Sequence, residues 1–276
     1  MKWRITPEAF FDLLLAEIES HEELRGYYRF LQSPSQFEFR KAYYMQRLEY
    51  ICRQVESKPE AHIWDVGCGY GTTAIFLALN GYHVQGSTLE YYFEQIPKRL
   101  NYWSKHGSLE TMKLDYENLF DATGMENRFD FVIVQDTLHH LEPIETALHL
   151  IAASLKPGGS MIAVEENGSN IIQRTKLYLQ RGNNRVITIR DEKLGKDILL
   201  GNENIRSIDR WKELCALQGL QVEPDSIHYV RMYPPAFFNG HNSKEVIARE
   251  QRIWRRNRVL RKFFFFGLDF TASKQD

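Results

Sequence analysis

Apolar residues recur with a helical period near the start of the chain. Phe10, Leu13, Leu14 and Ile18 fall on one face, the spacing of an amphipathic helix. Thr6-Pro7 is a helix start, because a hydroxyl can cap the first turn and proline is tolerated there. A second helical block runs from about Ser35 to Val55 and carries Phe39, Tyr43, Tyr44, Leu48 and Ile51. No strand pattern interrupts residues 1–60, which read as a helical N-terminal cap.

The pattern then changes. Short apolar runs at His62–Val66, His83–Thr88, Glu110–Leu114, Phe129–Gln135 and Ser160–Glu165 alternate with helical segments. Such alternation predicts a mainly parallel sheet with helices on both faces. Lys156-Pro157-Gly158-Gly159 stops a helix and turns the chain into the fifth run. Val186–Ile189 and Ile198–Leu200 predict a hairpin across Lys193-Leu194-Gly195. Ser207-Ile208 opens a further helix that ends near Gly219. Leu220–Glu223 and His228–Met232 have strand character, a basic helix spans Ser243 to Lys262, and Gly267–Ala272 alternates as a final strand.

Bulk properties narrow the picture only a little. The 276 residues suit one large domain. Lys plus Arg, 35, balances Asp plus Glu, 36, so overall charge gives no reason to expect a nucleic-acid partner. Cys52, Cys68 and Cys215 are far apart and odd in number, with neither a disulfide framework nor a metal-ligand spacing. No metal and a reducing, cytoplasmic setting are therefore expected. The N-terminus lacks the clean apolar core of a signal peptide, and no apolar run approaches the roughly 18 residues of a membrane span. One local exception stands out: seven basic residues and one acid lie between Arg249 and Lys262. Val246, Ile247, Ile253, Trp254 and Leu260 could give that helix an apolar face. It either packs on the domain or docks an acidic partner or surface.

The most informative chemistry lies in Asp65-Val66-Gly67-Cys68-Gly69-Tyr70-Gly71, which follows a strand and opens a helix. Glycines allow a tight turn and close approach of a ligand to the backbone. The helix behind them offers free N–H donors and a positive dipole end. The spacing Gly-x-Gly-x-Gly departs from the dinucleotide fingerprint Gly-x-Gly-x-x-Gly, which disfavours a nicotinamide dehydrogenase. Asp65 would repel a pyrophosphate but suits an ammonium group. Glu90, ending the second strand, can accept from both hydroxyls of a ribose. Asp115, followed by Tyr116, could accept from an adenine amino group. Asp130–Pro143 reads DFVIVQDTLHHLEP, a strand running into a loop and helix.

These residues together resemble the class I S-adenosylmethionine-dependent methyltransferases of the small-molecule type, over roughly 60–167 with a weaker echo at 264–273. The resemblance implies a Rossmann-like, mostly parallel seven-stranded sheet. It assigns Asp65, Gly67, Cys68, Gly69 and Gly71 to the methionine part of the cofactor, Glu90 to the ribose, and Asp115 and Tyr116 to the adenine. Gln135 and Asp136 would face the cofactor near the sulfonium. S-adenosylmethionine would be the cofactor and S-adenosylhomocysteine its product. The domain would occupy 61–276, with substrate-side insertions at 168–206 and 233–262.

His139 and His140, at the carboxyl edge of the sheet, are candidates for a general base. Glu166 could orient an acceptor; Tyr43 and Tyr44 could cover the cofactor; Tyr233, with His228 and Tyr229, could line an acceptor cavity. The Asn-Pro-Pro-Tyr sequence of enzymes that methylate nucleic-acid amines is replaced by Gln135-Asp136-Thr137-Leu138. A small or medium-sized organic acceptor, methylated at oxygen, nitrogen or carbon, is the expectation, with secondary metabolism as one setting for it. Two alternatives remain open: a noncatalytic cofactor-binding partner or regulatory subunit, and methylation of a carrier-tethered or lipid-like acceptor docked on the basic helix.

Overall fold

The computed structural model describes residues 3–89, 91–238 and 242–275. Thr6 caps helix α1 (Pro7–Ser20) by accepting from the Ala9 N–H. A short helix, α2 (Glu22–Tyr28), leads to α3 (Pro34–Val55), which Ser33 caps through Gln36. Then follow β1 (His62–Val66), α4 (Thr72–Leu79), β2 (His83–Thr88), α5 (Ile96–Trp103), β3 (Met112–Tyr116), β4 (Phe129–Gln135), α6 (Ile144–Ser154) and β5 (Leu155–Glu166). The chain continues through α7 (Ile171–Arg181), the hairpin β6 (Val186–Asp191) and β7 (Lys196–Gly201), α8 (Ile208–Ala216), β8 (Leu220–Val222) and β9 (His228–Val230). Two helices, α9 (Ser243–Arg256) and α10 (Arg258–Phe264), precede the last strand, β10 (Gly267–Lys274).

The main sheet runs β3-β2-β1-β4-β5-β10-β8, with β9 also paired to β10. Seven strands thus form the expected path and β9 adds an eighth. The first five are parallel, and β10 runs against β5, β8 and β9. Several boundaries differ from the sequence reading, β5 most of all, since it starts at Leu155 and takes in the Lys156–Gly159 turn; two others differ for clear local reasons. A turn in which Met112 N donates to Leu109 O delays β3. The single basic helix is broken at Asn257, whose extended backbone ends α9 and whose side chain caps α10 by accepting from Leu260 N.

Alternate strand residues feed two cores, as the two-residue period requires. Ile63, Phe131, Ile133 and Ile162 pack with α4 and the N-terminal helices. Trp64, Val132, Val134 and Met161 pack with α6 and α8. Phe10, Phe11 and Leu14 of α1 are fully buried in the first core beside Phe76 of α4. The N-terminal helices therefore share a core with the sheet. Among the described residues, no helix is long and apolar enough to cross a membrane.

Candidate active site

The glycine loop occupies the bend between β1 and α4. Gly67, Gly69 and Gly71 all adopt positive φ, at 72°, 54° and 72°, where other residues are strained. A Cβ on Gly67 would lie 2.3 Å from Thr137 Oγ1. The N–H groups of Gly67 and Cys68 donate to Ser87 O on β2. On its other side the loop is held by Arg99 of α5, whose side chain is almost fully buried. Arg99 Nη1 donates to Tyr70 O at 2.6 Å and to Thr72 Oγ1 at 2.7 Å. Its Nε and Nη2 donate to the Glu17 carboxylate of α1 at 2.9 Å and 2.7 Å, and Glu17 also accepts from Trp103 Nε1. Sequence reading missed this clamp: its partners lie 82 residues apart, and each alone is one charge on an otherwise apolar face.

Beside the loop a cavity of about 440 Å³ extends under α3, lined by Asp65, Gly67, Cys68, Gly69, Gln135 and His140, among others. Asp65 is 2% exposed. Burial pushes its carboxyl up to about 7, and Oδ2 has no partner. Thr73 Oγ1 donates to Gln135 Oε1 and fixes that side chain. An unpaired buried carboxylate oxygen beside a bend of glycines fits the ammonium and main chain of a methionine moiety. Gly71 does not line the cavity and instead forms the N-cap of α4.

At the far edge, the expectation for Asp115 and Tyr116 needs correction. Asp115 pairs with Lys113 at 2.7 Å, and Tyr116 Oη donates to Asp191 of β6 at 2.8 Å. Neither lines the cavity; Glu117, Asn118 and Leu119 do. Glu117 Oε2 is buried without a partner and is the acid that faces the cavity there. Tyr116 is drawn away by a hairpin distant in sequence, a pull that no local pattern reveals. Glu90 lies outside the described residues.

The loop after β4 separates the two histidines. Glu165 accepts from the N–H groups of Thr137 and Leu138, and His139 Nδ1 lies 2.5 Å from its other oxygen. Burial opposes charge on His139, but the Glu165 carboxylate outweighs it and raises the imidazole to about 9. His139 is 3% exposed and does not line the cavity. It is a bracing residue, which corrects its expected role as a base. His140 does line the cavity. Its Nδ1 is 2.9 Å from Gly201 O, which can only accept, so that nitrogen is the donor. Glu203 approaches His140 Nε2 at 4.0 Å.

Tyr43 and Tyr44 line the cavity, as do Arg40 and Arg47 from the same face of α3, spaced for one helix side. Arg47 pairs with Asp136. Two other expected acceptor residues lie elsewhere. Glu166 is occupied by Arg231, through contacts of 2.8 Å and 2.9 Å, and Arg231 lines the cavity in its place. The Tyr233 ring packs at a tilt against Phe237, and its carbonyl accepts from Tyr43 Oη. His228 packs between Tyr50 and Trp254, and Tyr229 is buried in the second core. Arg40 Nε is buried without a partner.

Residues 37–223 match the model of the methyltransferase domain family, more than half of the chain. The chain belongs to this family. The sheet order and glycine loop above are those of the class I S-adenosylmethionine-dependent methyltransferase fold. A ubiquinone biosynthesis O-methyltransferase of Coxiella burnetii is 28% identical over 135 residues, covering 48% of this chain and 53% of that protein. A sterol 24-C-methyltransferase of Gibberella zeae is 29% identical over 40% of this chain and 29% of its own length. The chain thus spans about half, or less, of the curated relatives it matches. The 1,6-didemethyltoxoflavin-N1-methyltransferase of Burkholderia thailandensis, solved with its acceptor and S-adenosylhomocysteine, shares the fold of this methyltransferase. Its TM-score is 0.52 and its identity 16%, over 100% of this chain and 93% of that one.

Proposed function

We propose that the protein transfers the methyl group of S-adenosylmethionine to a small or medium-sized organic acceptor. The observation that carries this reading is the continuity of one cavity, from the glycine loop past Gln135 to His140 and the Arg40–Arg47 face of α3. Relatives named for ubiquinone biosynthesis and sterol methylation support an organic acceptor. Bound S-adenosylmethionine would supply an activated methyl group, displaced in line from its sulfonium. The chain's part is alignment and exclusion of water. Asp65 would hold the ammonium group, and the loop would leave room for the methionine chain. Tyr43 and Tyr44 would close the cavity from above. His140 Nε2 would take the proton of an acceptor hydroxyl or amine, and Glu203 would stabilise the imidazolium that forms. Arg40, with a buried Nε free, would meet an anionic group on the acceptor.

The test is transfer of labelled methyl groups to a panel of aromatic and aliphatic hydroxyl and amine acceptors, in pairs with and without a carboxylate. Turnover of at least one acceptor, with the carboxylate-bearing member preferred, is expected. Cofactor binding with no turnover on any of them would count for a noncatalytic binding protein. On a hydroxyl acceptor, His140→Ala should cut turnover on the order of 100-fold without weakening S-adenosylhomocysteine. A fully active variant would remove its role as base.

Asp65 gives a pH prediction. Its carboxyl must be ionised to pair with the ammonium group, and its value near 7 in the free protein sets where that fails. Affinity for S-adenosylhomocysteine should hold above that value and fall about tenfold from pH 8 to pH 6. Calorimetry across that range checks it. Asp65→Asn should bind more weakly and lose the slope; a slope that persists in the variant assigns it to another group.

A further inference from the structure

Among the described residues, nothing covers the apolar face of helix α7. Among its residues only Leu177 is buried. Ile171, Ile172, Tyr178 and Leu179 are exposed, Leu179 by 79%. With Thr175 they form one stripe, covering an arc of about 120° at 100° per residue. Arg174 and Arg181 border the stripe on one side and Lys176 on the other, while Leu177 points away from it. Neither Arg174 nor Lys176 has an ion pair among the described residues.

Charge around this helix is one-sided. Residues 167–190 hold five basic residues and no acid, and residues 251–268 hold six basic residues and no acid. The fold sets the two segments side by side. Asn167 Nδ2, just before α7, donates to Lys262 O and Phe265 O at 3.0 Å and 2.9 Å. On α10, Val259 is 61% exposed and Arg258 has no ion pair among the described residues, while Lys262 is paired with Asp209. Helix α9 is a different case. Ile253 and Trp254 pack on the second core, and Glu250 is buried, accepting from the N–H groups of Met232 and Tyr233. Its apolar face is used inside the molecule.

We propose that α7, flanked by α10, docks the protein on an anionic membrane surface. An apolar stripe with cations along both borders is the form of a helix that lies in the plane of a bilayer interface. The stripe enters the acyl boundary, and Arg and Lys reach up to the headgroups along their aliphatic stems. Charge complementarity selects acidic lipid, since each cation near such a surface adds to binding. An acidic protein partner is the rival occupant, and the vesicle test separates the two. The inference does not depend on methyl transfer.

The test is cosedimentation of the full chain with unilamellar vesicles of phosphatidylcholine alone, or mixed with phosphatidylglycerol at about two to one. Partitioning onto the mixed vesicles should be roughly tenfold or more stronger. Arg174→Gln and Lys176→Gln should each weaken it about fivefold. The double variant Ile172→Glu, Leu179→Glu should abolish it while S-adenosylhomocysteine affinity stays unchanged, which shows that the variant is folded. The proposal is overturned if the protein ignores both vesicles or binds them equally, or if the double variant partitions like the wild type. It is also overturned if α7 proves to be a dimer contact, the double variant becoming monomeric while the wild type stays off lipid. Capture by a soluble acidic protein that the double variant retains, without lipid binding, likewise overturns it.

Discussion

Gly69→Val is expected to lower the affinity for S-adenosylhomocysteine on the order of 100-fold or more. Gly69 sits at φ 54° and lines the cavity. Two effects add. A β-branched residue in the left-handed region costs about 1–2 kcal/mol, and the new side chain occupies space that the methionine chain needs. About 3 kcal/mol in total corresponds to the stated loss. Calorimetry measures it, and a thermal melt of the same sample separates the local strain from the blocked site. Wild-type affinity in a folded variant would mean that the bend is not the cofactor cradle.

Arg99→Ala should be the most destabilising single change among the residues considered. It leaves Glu17 as a buried carboxylate with only Trp103 to donate to it. Removing one member of a buried ion pair costs about 3–5 kcal/mol, a large share of the roughly 5–15 kcal/mol that holds a domain together. Cofactor affinity should fall as well, because Tyr70 O and Thr72 Oγ1 lose the donor that fixes the loop. Urea unfolding gives the first quantity and calorimetry the second. The double change Glu17→Leu, Arg99→Met should cost less than Arg99→Ala alone, since no uncompensated charge stays buried. If Arg99→Ala loses less than about 1 kcal/mol, the pair is a passenger.

Local patterns carried much of the architecture. β1, β2 and β4 begin and end where the sequence reading put them, because each is bounded by local turn or helix signals. Thr6 caps α1 through a neighbour three residues away, and the apolar period alone marks α3, so both helices could be placed. The glycine loop was legible for the same reason: strand, bend and helix are contiguous. Roles that depend on distant partners were not. Nothing beside His139 shows that Glu165 holds it, or that His140 faces a cavity while its neighbour does not. Arg40 and Arg47 were overlooked although they flank Tyr43 and Tyr44 at helical spacing, because exposed basic residues look alike until something covers them.

A Rossmann-like sheet and a bend that favours glycine are specified by neighbouring residues alone, because both follow from local order. Which acids and bases reach the cavity was decided by the tertiary structure. Desolvation, ion pairing and orientation arise only when segments far apart in the chain come together. That is why one oxygen of Asp65 is left without a partner, Glu166 is taken by Arg231, and the apolar stripe of α7 faces outward while that of α9 does not.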